Sequence, residues 1–156
     1  MGTDLIAADI ELAVMKWCKG NMAINNAVNG QIHFEVPGTT PPFPLITLSR
    51  DGGVASFRNA TSGSTSVTEA LIDEALVTFS CWAKKYDKST SARVAAVLVT
   101  EAFNLYRSPV TLTAGSASVT LHGAEVGGAI WVPDPDAGYA RHVVSVVFTT
   151  TAIAAA

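Results

Sequence analysis

The sequence has few charged residues and few cysteines. Only 15% of its 156 residues are Asp, Glu, Lys or Arg, whereas 49% are hydrophobic and the mean hydropathy is +0.33. This apolar content exceeds what one domain of such a length needs to bury as a monomer. With only Cys18 and Cys81, no disulfide framework is implied, and both are expected to be buried, reduced thiols. The composition favours a single domain, residues 1–156, with additional apolar surface for a partner.

Long hydrophobic runs and an excess of basic residues are also lacking. No apolar run approaches the roughly 20 residues of a membrane span, and even "VAAVLV" ends at Thr100 and Glu101. The N-terminal "MGTDLIAADIEL" has acidic residues where a signal peptide needs basic ones. Ten Lys and Arg, scattered along a chain of net charge −3, form no footprint for nucleic acid. The sequence therefore predicts no membrane span, no export and no sequence-specific nucleic-acid binding.

Residues with the spacing of a catalytic or metal site are absent as well. His33, His122 and His142 each lie in a predicted strand, without a Cys, His or carboxylate at ligand spacing. The segment "DPDAG" lacks the remaining ligands of a calcium loop, and "SGSTS" lacks the lysine of a phosphate loop. No nucleophile elbow or dinucleotide fingerprint is present. We expect no cofactor, no metal and no enzymatic activity.

Two segments have helical periodicity. Residues 4–19 place Ile6, Ile10, Ala13, Val14 and Trp17 on one stripe, after a possible cap at Thr3 or Asp4. A second helix is predicted from a cap at Asp87, Ser89 or Thr90 to about Arg107. Its apolar residues cover an arc of about 200°, twice the usual stripe. Either a sheet and the first helix cover its two sides, or a neighbouring subunit covers one of them.

Five segments have strand character: "QIHFEV", "LITLSR", "ALVTFSCWA", "SVTLHGAEV" and "YARHVVSVVFTTT". In the third, Val77, Phe79, Cys81 and Ala83 alternate with polar or larger residues and should face the core. In the last, Val144, Val146 and Phe148 share one face. The element order predicts an α+β fold, with one mainly antiparallel sheet of about four to five strands and two helices on one face.

Three segments are predicted to lie outside regular structure. Residues 50–67 contain few sizeable apolar side chains and are expected to form a mobile loop that becomes ordered when assembly partners bind. The segment "VGGAIWVPDPDAG" is interpreted as rich in turns, and residues 151–156 as a flexible tail. Within the loop, Arg50, Phe57 and Arg58 are candidate assembly contacts.

The junction "WAKKYDK" is the densest functional candidate. Trp82 and Tyr86 offer amphipathic contact area, and Lys84 and Lys85 add positive charge. One interpretation is a strand end covered by its own turn. The other is an assembly contact, since aromatic residues flanked by basic groups suit an acidic partner.

The stretch "VTFSCWAKKYDKSTSARVAAVLVTEAFNLY" resembles the strand-turn-helix of the bacteriophage tail completion, or tail terminator, family. The segments "GQIHFEVPGTTPPFPLITLSR" and "GYARHVVSVVFTT" resemble its first two strands with their Pro-rich connector and its closing strand. The resemblance spans most of the chain in the order of the family. The glycine- and serine-rich stretch 50–67 is longer than the family pattern.

The resemblance implies a small structural α+β subunit of the virion, made in the host cytoplasm and assembled into a ring, commonly a hexamer. Such a ring stops polymerisation of the tail tube and provides the head attachment surface, with the tail tube protein and head-tail connector proteins as partners. Another ring-forming neck component is the nearest alternative. From a different class, a small-ligand-binding module or enzyme could use a pocket beneath "PGTTPPFP", with His33 or His122 as its polar group.

Overall fold

The computed structural model describes residues 10–38, 42–61, 67–84, 90–114, 117–133 and 139–154. Within these residues the chain forms three helices and six strands in a mixed α+β arrangement. The helices are α1 (Ile10–Gly20), α2 (Met22–Ala27) and α3 (Thr90–Asn104). The strands are β1 (Ile32–His33), β2 (Leu45–Thr61), β3 (Val67–Lys84), β4 (Val110–Ala114), β5 (Ala117–Pro133) and β6 (Tyr139–Ala154).

The six strands form one sheet in the order β1-β2-β3-β6-β5-β4. β1 is parallel to β2, and every other neighbouring pair is antiparallel. The predicted α+β class and mainly antiparallel sheet are therefore confirmed, although the sheet has more strands than expected. The missed strand is β4, whose side chains alternate between exposed and partly buried up to the buried Ala114.

The sheet curls around helix α1, which contacts strands from both ends of the sheet order. The helix packs on β1 and β2 at one end and on β4 at the other. Lys16 Nζ donates a 2.6 Å hydrogen bond to the carbonyl oxygen of Thr113 in β4. The predicted stripe is confirmed at Ile10, Ala13 and Val14, which are buried. Ile6 and the cap residues at 3 and 4 lie outside the described residues.

Helix α3 crosses the same side of the sheet and contacts β3, β5, β6 and the short helix α2. It ends at Asn104, somewhat before the predicted Arg107. The short helix α2, capped by the Asn21 side chain, is a third helix where two were predicted. None of the three, within the described residues, combines the length and the apolar character that crossing a bilayer requires.

An aromatic cluster joins the helices to the sheet, with Phe103 of α3 at its centre. The Phe103 ring lies 4.7 Å from Trp17 of α1, 5.5 Å from Phe79 of β3 and 4.9 Å from Phe148 of β6, centroid to centroid. The predicted core faces of β3 and β6 are confirmed. Their buried residues are Ala75, Val77, Phe79, Cys81, Ala83, Val144, Val146 and Phe148. These contacts form one core between the curled sheet and the helices.

The prediction of a loop at residues 50–67 is wrong for the part that the structure describes. Residues 50–61 continue β2, and they pair with β3 from Val77 back to Val67. A bulge between Arg50 and Gly52 interrupts the pairing, and Gly53 there has a φ of +117°. Residues 62–66 lie outside the described residues. The pairing arises from backbone hydrogen bonds to β3, which need no large apolar side chains.

Two further boundaries are corrected. The segment 127–133, interpreted as rich in turns, continues β5, because a bulge between Val126 and Gly128 accommodates its glycines within the strand. The predicted flexible tail begins at residue 151, yet β6 continues to Ala154 between β3 and β5. Conversely, the predicted strand "QIHFEV" is reduced to Ile32 and His33. Residues 155–156 lie outside the described residues.

Cys18 and Cys81 are both buried and free, as predicted. Burial raises the pKa of the Cys81 thiol to about 12, and burial followed by the neighbouring Cys81 raises the pKa of the Cys18 thiol further. We expect neither thiol to react with iodoacetamide at pH 8 in the folded protein, and both to react in urea, as measured by mass spectrometry. Labelling of either cysteine without denaturant would contradict this burial.

The same shifts predict how stability depends on alkaline pH. The thiols of the unfolded chain lose protons near their ordinary pKa of 9.0, while the folded protein keeps them protonated. The contribution to stability is therefore fully present below pH 9 and is lost progressively as the pH rises toward 12. Urea titrations between pH 8 and pH 10.5 should show a falling free energy of unfolding. The Cys18→Ala and Cys81→Ala variants should show a smaller decline.

Candidate assembly surface

Trp82 lies near the end of β3, on the sheet face opposite the helices. In register it stands between Leu45 of β2 and Arg141 of β6. Its indole Nε1 donates a 3.0 Å hydrogen bond to Thr47 Oγ1, and the Arg141 guanidinium carbon lies 5.0 Å from its ring centroid. The indole is partly buried within its own subunit.

The hydrogen bond predicts a measurable role for Trp82 in folding. Trp82→Phe removes the indole donor and leaves the buried Thr47 hydroxyl without it, so we expect a loss of about 1–2 kcal/mol in the free energy of unfolding. Urea denaturation would measure the loss. Lys84→Ala, at an exposed position of the same strand, should change it by less than about 0.5 kcal/mol. A Trp82→Phe variant as stable as the parent would contradict the assigned role of this bond.

Of the basic residues at the junction 82–88, only Lys84 lies within the described residues. Lys84 is the last residue of β3 and is exposed. Lys85 and Tyr86 lie outside the described residues. As assembly contacts, these residues and Trp82 remain predictions.

Arg50 is engaged within its own subunit. Its guanidinium forms a bidentate ion pair with the carboxylate of Asp73 in β3. Nη2 donates a 2.7 Å hydrogen bond to Oδ1, and Nη1 donates a hydrogen bond to Oδ2. Its Nε also donates to the carbonyl oxygen of Gly52 at 3.2 Å. The Asp73 side chain is only 1% exposed, so this pair fixes the bulge of β2 against β3. Arg50 is thus a structural residue of the hairpin, and its predicted assembly role remains to be tested.

The predicted contact residues do not form one patch. Phe57 and Arg58 lie in the outer part of β2, where their backbones pair with Leu71 and Ala70. At about 3.4 Å per residue, Phe57 lies roughly 40 Å along β2 from Leu45, the register partner of Trp82. The sheet therefore places the two predicted groups at opposite ends of a strand.

Exposed apolar side chains on α3 were not singled out from the sequence. Val94 and Val97 are nearly half exposed, and Leu105, just after the helix, is 72% exposed. The sheet, α2 and Trp17 cover other sides of this helix. The apolar arc of about 200° was the available signal, since it exceeded what one packing partner covers. These side chains form an exposed apolar surface on α3.

The histidines do not converge on a site. His33 Nε2 lies 2.8 Å from Gln31 Oε1 at the β1 edge, and His122 Nε2 lies 2.7 Å from Thr151 Oγ1 on the far side of the sheet. Desolvation, followed by the charge of Arg93, lowers the pKa of His142, so its neutral form is favoured. Within the described ranges, no three His, Cys, Asp or Glu side chains are grouped to hold a metal ion.

The comparisons with known proteins bear on the fold. No protein-family model and no curated protein matches the chain. Among solved structures, it is similar to a chain in the virion of a native gene transfer agent particle, with a TM-score of 0.58 and 14% identity. The likeness covers 95% of this chain and 96% of that one. The two chains share a fold. At this identity, the likeness establishes the architecture from end to end and leaves residue roles to be inferred from the chain itself.

Proposed function

We propose that the chain is a structural virion protein, a tail completion or tail terminator subunit. In this role it forms a ring, commonly hexameric in the family it resembles, at the head-proximal end of the tail tube. The ring stops tube polymerisation and presents the surface to which the head attaches. The tail tube protein and the connector or neck proteins are its expected partners.

The observation that carries this proposal is the likeness to a virion chain over 95% of one chain and 96% of the other. The match therefore extends over nearly the whole of both chains. The exposed apolar residues of α3 add support, because a ring subunit needs surface for its neighbours.

The position of the protein on an intact particle tests the proposal. We would tag the chain, assemble it with tail tubes, and locate the tag by electron microscopy. A ring at one tube end, with tubes that no longer elongate, is the expected result. A tag found on the connector side, with tubes that continue to elongate, would favour another neck component. Tag distributed along the tube, or absent from the particle, would refute the proposal.

The basic junction provides a prediction specific to assembly. The pair Lys84→Glu and Lys85→Glu reverses charge at the end of β3, so contact with an acidic partner should weaken about tenfold or more. Thermal unfolding should be unchanged, because Lys84 is exposed. Lys19→Glu, an exposed charge reversal on α1, is the matched control. Light scattering and a tube-capping assay would measure assembly, and equal losses in stability and capping would contradict the prediction.

A further inference from the structure

The sheet ends in a long open strand edge on each side. On one side, β1 pairs with β2 only at Ile46 and Thr47. Beyond them, residues 48–61 of β2 pair with β3, and no other described strand lies on their outer edge. On the other side, β4 stops pairing with β5 at Leu121. Residues 122–133 of β5 therefore have β6 as their one strand partner in the described part of the chain. We call these segments the β2 edge and the β5 edge.

Each edge presents a row of backbone groups that need partners. An outer strand directs about half of its N–H and C=O groups away from the sheet. At roughly 3.4 Å per residue, each row is about 40 Å long. Proteins commonly protect such edges with charged side chains, above all lysine, with proline, with bulges or by shortening the strand. Neither edge contains a lysine, and Pro133, at the very end of the β5 edge, is the one proline.

Bulges interrupt both edges but leave regular strand beyond them. The bulge of β2 lies at Arg50 and Gly52, and regular pairing with β3 resumes as far as Thr61. The bulges of β5 lie before Gly123 and before Gly128, and regular pairing with β6 then continues to Pro133. On the β5 edge, Glu125 is exposed and Ile130 is 65% exposed. Ile130 is an apolar side chain that pairing of this open stretch with a partner strand would cover.

The two edges are complementary to one another. Three antiparallel steps separate β2 from β5 through β3 and β6, so the two strands run in opposite directions within a subunit. If the sheet continues into a second copy of the chain, β5 of that copy lies antiparallel to β2 of the first. Antiparallel pairing also joins β3 and β6 at the centre of the sheet. A two-fold contact between two β2 edges would leave both β5 edges open.

We propose that the β2 edge of one copy pairs with the β5 edge of the next, so that a single sheet runs through neighbouring subunits. The inference rests on the proposed ring and supplies its contact. The free part of β2 extends toward Thr61, whereas the free part of β5 extends toward Pro133, which is level with the start of β2. Adjacent copies are therefore offset along the strands. Strands tilted to the ring axis, as in a closed barrel, accommodate such an offset.

Hydrogen exchange of backbone amides tests the contact in the unmodified protein. Amides of β3 and β6 are paired on both sides, so they should be protected in the monomer and in the assembled ring. Alternate amides of residues 48–61 and 122–133 should exchange rapidly in the monomer and become protected in the ring by at least a hundredfold. A ring in which both edges continue to exchange rapidly would overturn the inference while leaving the proposed function intact. Failure to assemble, alone or on tail tubes, would overturn both.

Cross-linking distinguishes the head-to-tail contact from a two-fold one. Single variants Ser56→Cys on the β2 edge and Glu125→Cys on the β5 edge, which lie opposite one another when residue 48 pairs with residue 133, would be assembled and treated with a short bis-maleimide. Native Cys18 and Cys81 are buried and should not interfere. Cross-linked dimers should form in a mixture of the two variants, not in either variant alone. Lys19→Cys, exposed on α1, is the control partner for each. Cross-linking of Ser56→Cys with itself would overturn the proposed pairing.

Discussion

Replacing Phe103 by alanine should lower the free energy of unfolding by about 3–5 kcal/mol. The ring is buried and lies against Trp17, Phe79 and Phe148, so its removal leaves a cavity that three separate elements would have to fill. Because these elements are α1, β3 and β6, the loss should weaken the attachment of both long helices to the sheet. Urea denaturation followed by circular dichroism would measure the change.

Leu105→Ala is the matched control for this variant. Leu105 is 72% exposed two residues later in the chain, so its truncation should change the free energy of unfolding by less than about 0.5 kcal/mol. If the two variants differed by less than about 1 kcal/mol, the aromatic cluster would not be the centre of the core.

Gly53→Ala should lower the free energy of unfolding by about 3 kcal/mol or more, through a steric contact with β3. Gly53 has a φ of +117°, and an added Cβ would lie 1.9 Å from the carbonyl oxygen of Glu74. An L-residue in this region costs about 1–3 kcal/mol by itself, and the contact with a paired backbone adds to that cost. Thermal and urea unfolding would both detect the loss.

Gly128→Ala separates the two contributions. Gly128 has a similar φ of +113°, but an added Cβ would have nothing within 4 Å. Its replacement should therefore carry only the conformational cost of about 1–3 kcal/mol. The difference between the two variants measures how closely β3 approaches the bulge. Equal losses would show that the close approach at Gly53 does not hold in solution.

The strands that were predicted correctly are those whose side chains meet the core. In β3 and β6 alternate apolar residues are buried, and this period of two is visible in the sequence. The outer part of β2 has no such pattern, and it is ordered by backbone pairing with β3, the next strand in the chain. The composition of a segment indicates how much apolar surface the segment can bury, but it does not indicate which strand the segment pairs with.

The sequence indicated one residue of the candidate assembly surface, Trp82, but not the residues that contact it. Trp82 was recognisable as a concentrated aromatic and basic feature, and the structure leaves it half-buried on the outer face of the sheet. Its partners Thr47 and Arg141 are contributed by strands on either side, through registers that no local pattern indicates. Arg50 was interpreted as part of a loop because its ion pair to Asp73 depends on the same long-range pairing.

Helix α1 contacts β1 and β2 on one side of the sheet and β4 on the other, and Lys16 donates a hydrogen bond to β4. Helix α1, with 11 residues and a length of about 16 Å, therefore links strands from the two ends of the sheet order on the helical side of the core. A change in the packing of this one helix would act on both ends of the sheet at once.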